Sequence, residues 1–173
     1  MSFMLFVGSL FFGSTDGVSS RSEPDMAEMN EIHEVDFRLE EYYRRVAREY
    51  DKLYERDDPV RKNEILTTAK ELKQALKDRC VLEVACGTGF WTRIATEVAR
   101  HVVATDKLEE MLSIAREKCK KLGNVELHQA DAYELGSIPR TFDAGLVGFW
   151  LSHVPRARVD EFLDGFHTRL GSR

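Results

Sequence analysis

Residues 81–91 read VLEVACGTGFW, an apolar run that passes through a glycine-rich turn into a helical pattern. The apolar residues 81–85 predict a short strand buried on both faces, as in parallel sheets. Gly87 and Gly89 have no Cβ, so the backbone can turn sharply there and approach a ligand closely. Apolar residues recur at helical spacing from Trp91 onward, which places a helix N-terminus beside the loop. We interpret the stretch as a strand, a cofactor loop and the start of a helix.

Two acidic residues indicate what the loop holds. Glu83 lies within the apolar strand, where an unpaired buried charge would cost several kcal/mol, so we expect it to have a partner. Residues 102–106 read VVATD and predict a second strand that ends in an acid. Asp106 follows the loop by about 20 residues, where a doubly wound fold places a ribose-binding carboxylate. The pattern therefore indicates a cofactor that contains a nucleoside.

Two cofactors remain open at this point. A dinucleotide site requires G-x-G-x-x-G/A, but the third small position is Thr92, and Trp91 beside it would crowd a pyrophosphate. An NAD-dependent oxidoreductase is therefore the less favoured alternative. Glu83-x-Ala85-x-Gly87-x-Gly89 resembles instead the first motif, D/E-x-G-x-G-x-G, of class I S-adenosylmethionine-dependent methyltransferases. The resemblance implies that these four residues hold the cofactor. Ala85 replaces the first glycine, which we expect to matter little because alanine is small.

The resemblance extends over roughly residues 42–173 and implies further cofactor contacts. Asp106 resembles the family's acid that holds the two ribose hydroxyls. The backbone of Lys107 is expected to border the adenine, with its side chain in solvent, and Met111 on the following helix is placed against the cofactor. Asp131 and Ala132 resemble the loop whose carboxylate and backbone N–H read the adenine. The resemblance thus implies S-adenosyl-L-methionine as cofactor and S-adenosyl-L-homocysteine as product.

An amphipathic helix precedes this core, with apolar residues at spacings of three and four over residues 39–54. Residues 42–51 resemble the N-terminal lid of many small-molecule methyltransferases, which closes over the cofactor. Tyr50, in the triplet Glu49-Tyr50-Asp51, matches a residue that approaches the methionine end of the cofactor. We expect Tyr42, Tyr43 and Tyr54 to be ordinary packing residues.

Residues 142–150 resemble the family's fourth strand, and the segment after it is expected to face the acceptor. Phe149 either flanks the cofactor or is plain core. His153 is a candidate general base, which an acceptor hydroxyl or acidic carbon would need, with a loop or helix-cap role as the alternative. The segment lacks the D/N-P-P-Y/F of enzymes that methylate amino groups of adenine or glutamine, which disfavours those substrates. The other histidines are scattered, so no metal site is predicted.

Composition sets the remaining limits. A chain of 173 residues with 43% hydrophobic residues can bury one ordinary core. The net charge of -5 provides no basic field, which counts against a nucleic-acid substrate. Three cysteines without a C-x-x-C pair suit a reducing compartment, so we expect a cytoplasmic location. The apolar residues near the start form a run shorter than the about 20 residues of a bilayer span, so no membrane association is expected.

The expected organisation is α/β: a flexible or apolar extension over residues 1–30, a helical lid over 31–79, and a Rossmann-like three-layer core over 80–173. Counted from residue 80, the core strands are expected in the parallel order 3-2-1-4. The family normally has seven strands, so we expect an incomplete sheet in which residues 144–150 form an exposed apolar edge. A homodimer through that edge would cover it.

The preferred function is methyl transfer to an O, C or N atom of a small-molecule acceptor. The alternative, which the incomplete sheet leaves open, is an inactive or regulatory module that only binds the cofactor.

Overall fold

The computed structural model describes residues 3–6, 26–55, 57–138 and 141–171. The strands are β1 (Phe3–Phe6), β2 (Cys80–Val84), β3 (His101–Asp106), β4 (Val125–Gln129) and β5 (Ala144–Val147). The α-helices are α1 (Met26–Val46), α2 (Pro59–Leu76), α3 (Phe90–Thr96), α4 (Glu109–Cys119) and α5 (Val159–Thr168). Short 3-10 turns cover Ala47–Leu53, Leu135–Ser137, Phe149–His153 and Arg156–Arg158.

The five strands form one parallel sheet in the order β1-β5-β2-β3-β4. Its part β4-β3-β2-β5 is the predicted 3-2-1-4 order, which is confirmed. In the register, Val84 at the end of β2 lies opposite Thr105 of β3 and Val147 of β5. The carboxyl ends of the central strands therefore meet at one edge of the sheet, where open α/β folds bind their ligands.

Helices cover both faces of the sheet, because β2 alternates its side chains between two cores. Val81 packs in one core with residues of α2, α3 and α4, among them Leu72, Ala95 and Leu112. Leu82 and Val84 pack in the other core with residues of α5, the loop after β4 and the C-terminal end, namely Phe162, Phe166, Leu135 and Leu170. The result is the predicted three-layer arrangement.

Gly145 in β5 allows α5 to lie close to the sheet. A Cβ placed there would stand 2.4 Å from Cζ of Phe166, whose side chain is fully buried. Any larger residue at this position would displace the ring or the helix, because protein interiors are packed as densely as organic crystals.

The exposed edge expected on β5 is absent, so that expectation was wrong. β1 pairs with β5 in parallel, from Phe3 opposite Ala144 to Phe6 opposite Val147. The apolar start of the chain supplies a strand, and strand pairing satisfies the backbone groups that an open edge would expose. This pairing removes the basis for a homodimer through that edge. The rest of the expected extension up to residue 25 lies outside the described residues.

The helix that carries the lid begins at Met26 and continues to Val46, so it starts earlier than the lid predicted from residue 31. Within the described ranges, no helix combines the length and the apolar character that crossing a bilayer requires.

Candidate active site

A cavity lies at the carboxyl ends of β2, β3, β4 and β5, beneath α1 and the 3-10 turn Ala47–Leu53. The space between its walls, including the open mouth, is about 940 Å³. Nine of the predicted site residues line it: Tyr50, Ala85, Gly87, Asp106, Lys107, Met111, Asp131, Ala132 and His153. The fold thus brings together residues that lie more than one hundred positions apart in the chain.

The loop after β2 takes a left-handed backbone at three positions. Ala85, Gly87 and Gly89 have φ angles of 55°, 57° and 78°. For a residue with a Cβ, this conformation costs roughly 1–2 kcal/mol. The replacement of the first motif glycine by Ala85 therefore carries a conformational cost that the small size of alanine does not remove.

Gly89 supports the site without lining it. A Cβ at this position would stand 3.1 Å from Cβ of Ala115 in α4, so the glycine permits close packing between the loop and that helix. Phe149 is also absent from the cavity wall and packs at the first core, with the guanidinium of Arg61 5.7 Å from its ring centroid. Its neighbour Trp150 lines the cavity instead.

Glu83 lies beneath the loop and is only 3% exposed. Burial raises its pKa to about 8, a shift that the Thr92 side chain opposes and the nearby Asp106 reinforces. Among the described residues, its Oε2 atom has no hydrogen-bond partner. The partner expected from the sequence is therefore not a charged group. The raised pKa favours the neutral form of the carboxyl group, which lies next to the Thr92 side chain.

Asp106 ends β3 and presents a carboxylate held by backbone donors. Its Oδ2 accepts a hydrogen bond from the N–H of Gly87 at 2.7 Å, and its Oδ1 accepts one from the N–H of Leu108 at 2.9 Å. Burial raises the pKa of this carboxyl group, and the N–H groups of Leu108, Gly87 and Lys107 oppose that shift. The side chain joins the cofactor loop to the start of α4 at the cavity wall.

Lys107 links three elements around the cavity, and its side chain is 51% exposed, as expected from the sequence. Its Nζ lies 2.7 Å from Oε1 of Glu40 in α1 and 3.0 Å from Oδ2 of Asp131 after β4. These two acids raise the lysine pKa against the effect of burial. Asp131 also accepts a hydrogen bond from the N–H of Tyr133 at 3.0 Å, which fixes the loop that was predicted to read a nucleobase.

A tyrosine pair and His153 form the opposite wall. The hydroxyl of Tyr43 and Nε2 of His153 are hydrogen-bonded at 3.1 Å, and the rings of Tyr43 and Tyr50 meet edge to face with centroids 5.8 Å apart. Burial raises the pKa of Tyr43 to about 12 and raises that of Tyr50 further, so both hydroxyls stay protonated at neutral pH. Tyr43 was predicted to be a packing residue only, and the structure places it in the cavity.

Several lining residues were not predicted from the sequence: Asp36, Leu39, Glu40, Tyr133 and Arg158. Asp36, Leu39 and Glu40 lie at helical spacing with Tyr43 on α1, and this spacing was the signal that could have found them. Arg158 carried no such signal. Its guanidinium lies 3.5 Å from the ring centroid of Tyr133 and pairs with Glu161 at 2.7 and 2.9 Å.

No cluster of metal-ligating side chains that could hold an ion occurs in the described part of the chain.

Comparisons with known proteins agree with this geometry. Residues 81–172 match a family profile described as a methyltransferase domain. The demethylmenaquinone methyltransferase of Staphylococcus carnosus is 29% identical over 137 residues, which cover 75% of this chain and 52% of that protein. The enzyme of the same name from Listeria welshimeri is 40% identical over 90 residues, 49% of this chain and 38% of that one. The chain thus spans about half the length of these relatives or less.

Solved structures give the same result. The DhpI-SAM-HEP complex superposes with a TM-score of 0.67 at 30% identity, covering 82% of this chain and 62% of that one. The DhpI-SAH complex superposes with a TM-score of 0.63 at 32% identity, covering 76% and 62%. Because its sequence matches this domain and its parallel sheet carries the glycine-rich loop after the central strand, this chain belongs to the class I S-adenosylmethionine-dependent methyltransferases.

Proposed function

We propose that this chain binds S-adenosylmethionine in the described cavity and transfers its methyl group to a small-molecule acceptor. The observation that carries the proposal is the convergence of Gly87, Asp106 and Asp131 on one cavity that also contains His153. A backbone loop and two carboxylates at the ends of adjacent parallel strands are suited to a nucleoside ligand.

The residues present fit this cofactor. Asp106 is oriented by two backbone N–H groups and would hold the ribose hydroxyls. Asp131 is fixed by Tyr133 and Lys107, next to Ala132, and would read the adenine. Tyr50 would lie at the methionine end, and Met111, 2% exposed, would supply apolar contact. Glu83 would act from below the loop by supporting its conformation.

When bound, S-adenosylmethionine supplies a methyl group already activated by the sulfonium, so transfer requires mainly alignment of the acceptor. We assign the general base to His153. In the tautomer whose Nε2–H donates to the Tyr43 hydroxyl oxygen, the other ring nitrogen, Nδ1, keeps its lone pair and would take the proton that an acceptor loses as its nucleophilic atom gains the methyl group. Tyr43 stays protonated, because burial raises its pKa to about 12, and its hydroxyl oxygen would accept that hydrogen bond and orient the imidazole.

The acceptor compartment favours an aromatic compound. Tyr43, Tyr50, Tyr133 and Trp150 line the same cavity as His153, and such rings bind planar apolar surfaces well. The similarity to demethylmenaquinone methyltransferases points in the same direction. We therefore propose an acceptor with an aromatic ring and an ionisable group, methylated on O, C or N.

The free cysteines suit a reducing compartment, and we place the protein in the cytoplasm.

Calorimetric titration with S-adenosylhomocysteine tests the cofactor assignment. We expect micromolar binding that weakens at least about tenfold, equal to about 1.4 kcal/mol, in Asp106→Ala. Asp57→Ala is the matched control, because Asp57 is 97% exposed and pairs with Lys62. A folded wild-type chain that fails to bind S-adenosylhomocysteine would contradict the proposal.

Transfer of a labelled methyl group from S-adenosylmethionine to a naphthoquinol tests the reaction. Binding without transfer to this acceptor or to a panel of phenols would favour the second function, a module that binds the cofactor without turnover.

A further inference from the structure

Asp51 lies outside the cavity, yet its carboxylate joins three separate parts of the site. It belongs to the 3-10 turn Ala47–Leu53. Its Oδ1 accepts a hydrogen bond from Oγ1 of Thr88 at 2.5 Å, and its Oδ2 forms an ion pair with Nζ of Lys118 in α4. Thr88 and Lys118 lie 37 and 67 positions from Asp51 in the sequence, so both contacts are long-range tertiary contacts.

Both partners are poorly accessible to water. Thr88 is 1% exposed, and the side chains of Lys118 and Asp51 are 21% and 29% exposed. A hydrogen bond to a charged group contributes more than a neutral one, and its loss leaves a buried polar group without its partner. This bridge therefore differs from the ion pairs of the protein surface, which contribute little.

The two ends of the bridge act on cavity residues. Asp51 directly follows Tyr50, which lines the cavity, and Thr88 directly follows Gly87, whose N–H donates to Asp106. A shift of the turn would move the Tyr50 ring, and a shift of Thr88 would move the donor to Asp106. The carboxylate of Asp51 thus fixes the distance between the wall formed by the turn and the cofactor loop.

We propose that Asp51 is a positioning residue that holds the turn Ala47–Leu53 closed over the cofactor by binding Thr88 and Lys118 at the same time. The inference rests on the proposed cofactor site. A competing explanation is that apolar packing alone holds the turn, since Ala47 packs with Leu108 and Met111 and the Tyr54 ring stacks on Phe90 at 3.9 Å.

A double-mutant cycle between Asp51→Ala and Thr88→Val separates the two explanations. The readout is the dissociation constant of S-adenosylhomocysteine, with the dissociation rate followed by stopped flow. We expect each single variant to weaken binding about tenfold, which is about 1.4 kcal/mol, mainly through faster dissociation. The double variant should lose little more than Asp51→Ala alone, because removal of the carboxylate already removes the interaction with Thr88. Asp51→Asn, which keeps an acceptor for Thr88 but loses the charge for Lys118, should fall between wild type and Asp51→Ala.

Hydrogen exchange supplies a readout that general destabilisation would not move. In Asp51→Ala, amides of the turn should exchange faster while those of β2 and β3 keep their protection. Asp57→Asn, an exposed acid, is the control and should bind like wild type. If wild type binds S-adenosylhomocysteine but Asp51→Ala binds it equally well, the positioning role is refuted and the cofactor assignment stands. If wild type itself does not bind, the proposed function fails and this inference fails with it.

Discussion

The pH dependence of stability should reveal the neutral state of Glu83. The carboxyl group is 3% exposed, and burial raises its pKa from 4.5 to about 8. In the unfolded chain it would ionise with its ordinary pKa. Between these two values the unfolded state loses the proton and the folded state keeps it, so the free energy of unfolding must fall as the pH rises.

The size of the effect follows from the shift. One pKa unit corresponds to about 1.4 kcal/mol, so a rise from 4.5 to about 8 amounts to about 5 kcal/mol over the whole window. Below pH 4.5 both states are protonated and the contribution is fully present. Above about pH 8 both states are ionised and the contribution has been lost. The decline between them approaches about 1.4 kcal/mol for each pH unit.

Glu83→Gln isolates this contribution, because glutamine has nearly the same shape and does not titrate. Urea unfolding of both proteins at a series of pH values gives the difference in unfolding free energy, in which the other titrating groups cancel. We expect the unfolding free energy of the glutamine variant to increase relative to that of wild type as the pH rises from about 5 to about 8. Above that range the difference should stay constant. A difference that does not change across this range would refute the argument that Glu83 is buried in its neutral form.

Three further predictions test the loop, the sheet and the chemistry. Ala85→Gly should raise the melting temperature by about 2–4 °C, because relief of the left-handed strain exceeds the entropy cost of glycine; a lower melting temperature would contradict this. Gly145→Ala should cost about 1–3 kcal/mol in urea unfolding through its clash with Phe166, whereas Gly136→Ala, with nothing within 4 Å, should cost little. His153→Gln should lower the methyl-transfer rate about 10²–10⁴-fold while calorimetry shows unchanged binding of S-adenosylhomocysteine; an unchanged rate would assign the base elsewhere.

The sheet and the cofactor side of the site could be predicted because their signals are local. Gly87 and Asp106 lie directly after strands whose apolar character is clear in the sequence, and parallel strands bring their carboxyl ends to one edge. Tyr50 was identified through a resemblance confined to its own triplet. In each case the residues needed for the inference lie within a few positions of one another.

The contacts that close the rest of the cavity wall could not be predicted in the same way, because they join distant segments. The pairing of Lys107 with Glu40 joins α1 to the end of β3, and the stacking of Arg158 on Tyr133 joins two loops. Nothing in the neighbourhood of a charged residue tells which distant acid or ring it will meet. The pairing of β1 with β5 escaped prediction for the same reason, since a run of four apolar residues does not specify its partner strand.

Glu83 and Asp106 show how position along a strand determines the role of an acid. Both are nearly buried, at 3% and 8% exposure. Glu83 lies within β2, where the backbone N–H groups take part in strand pairing, so only the Thr92 side chain opposes the effect of burial and the pKa rises to about 8. Asp106 ends β3, where the loop and the start of α4 offer N–H groups that oppose the effect of burial. The first acid can therefore support the loop from below, and the second can present a carboxylate to a ligand.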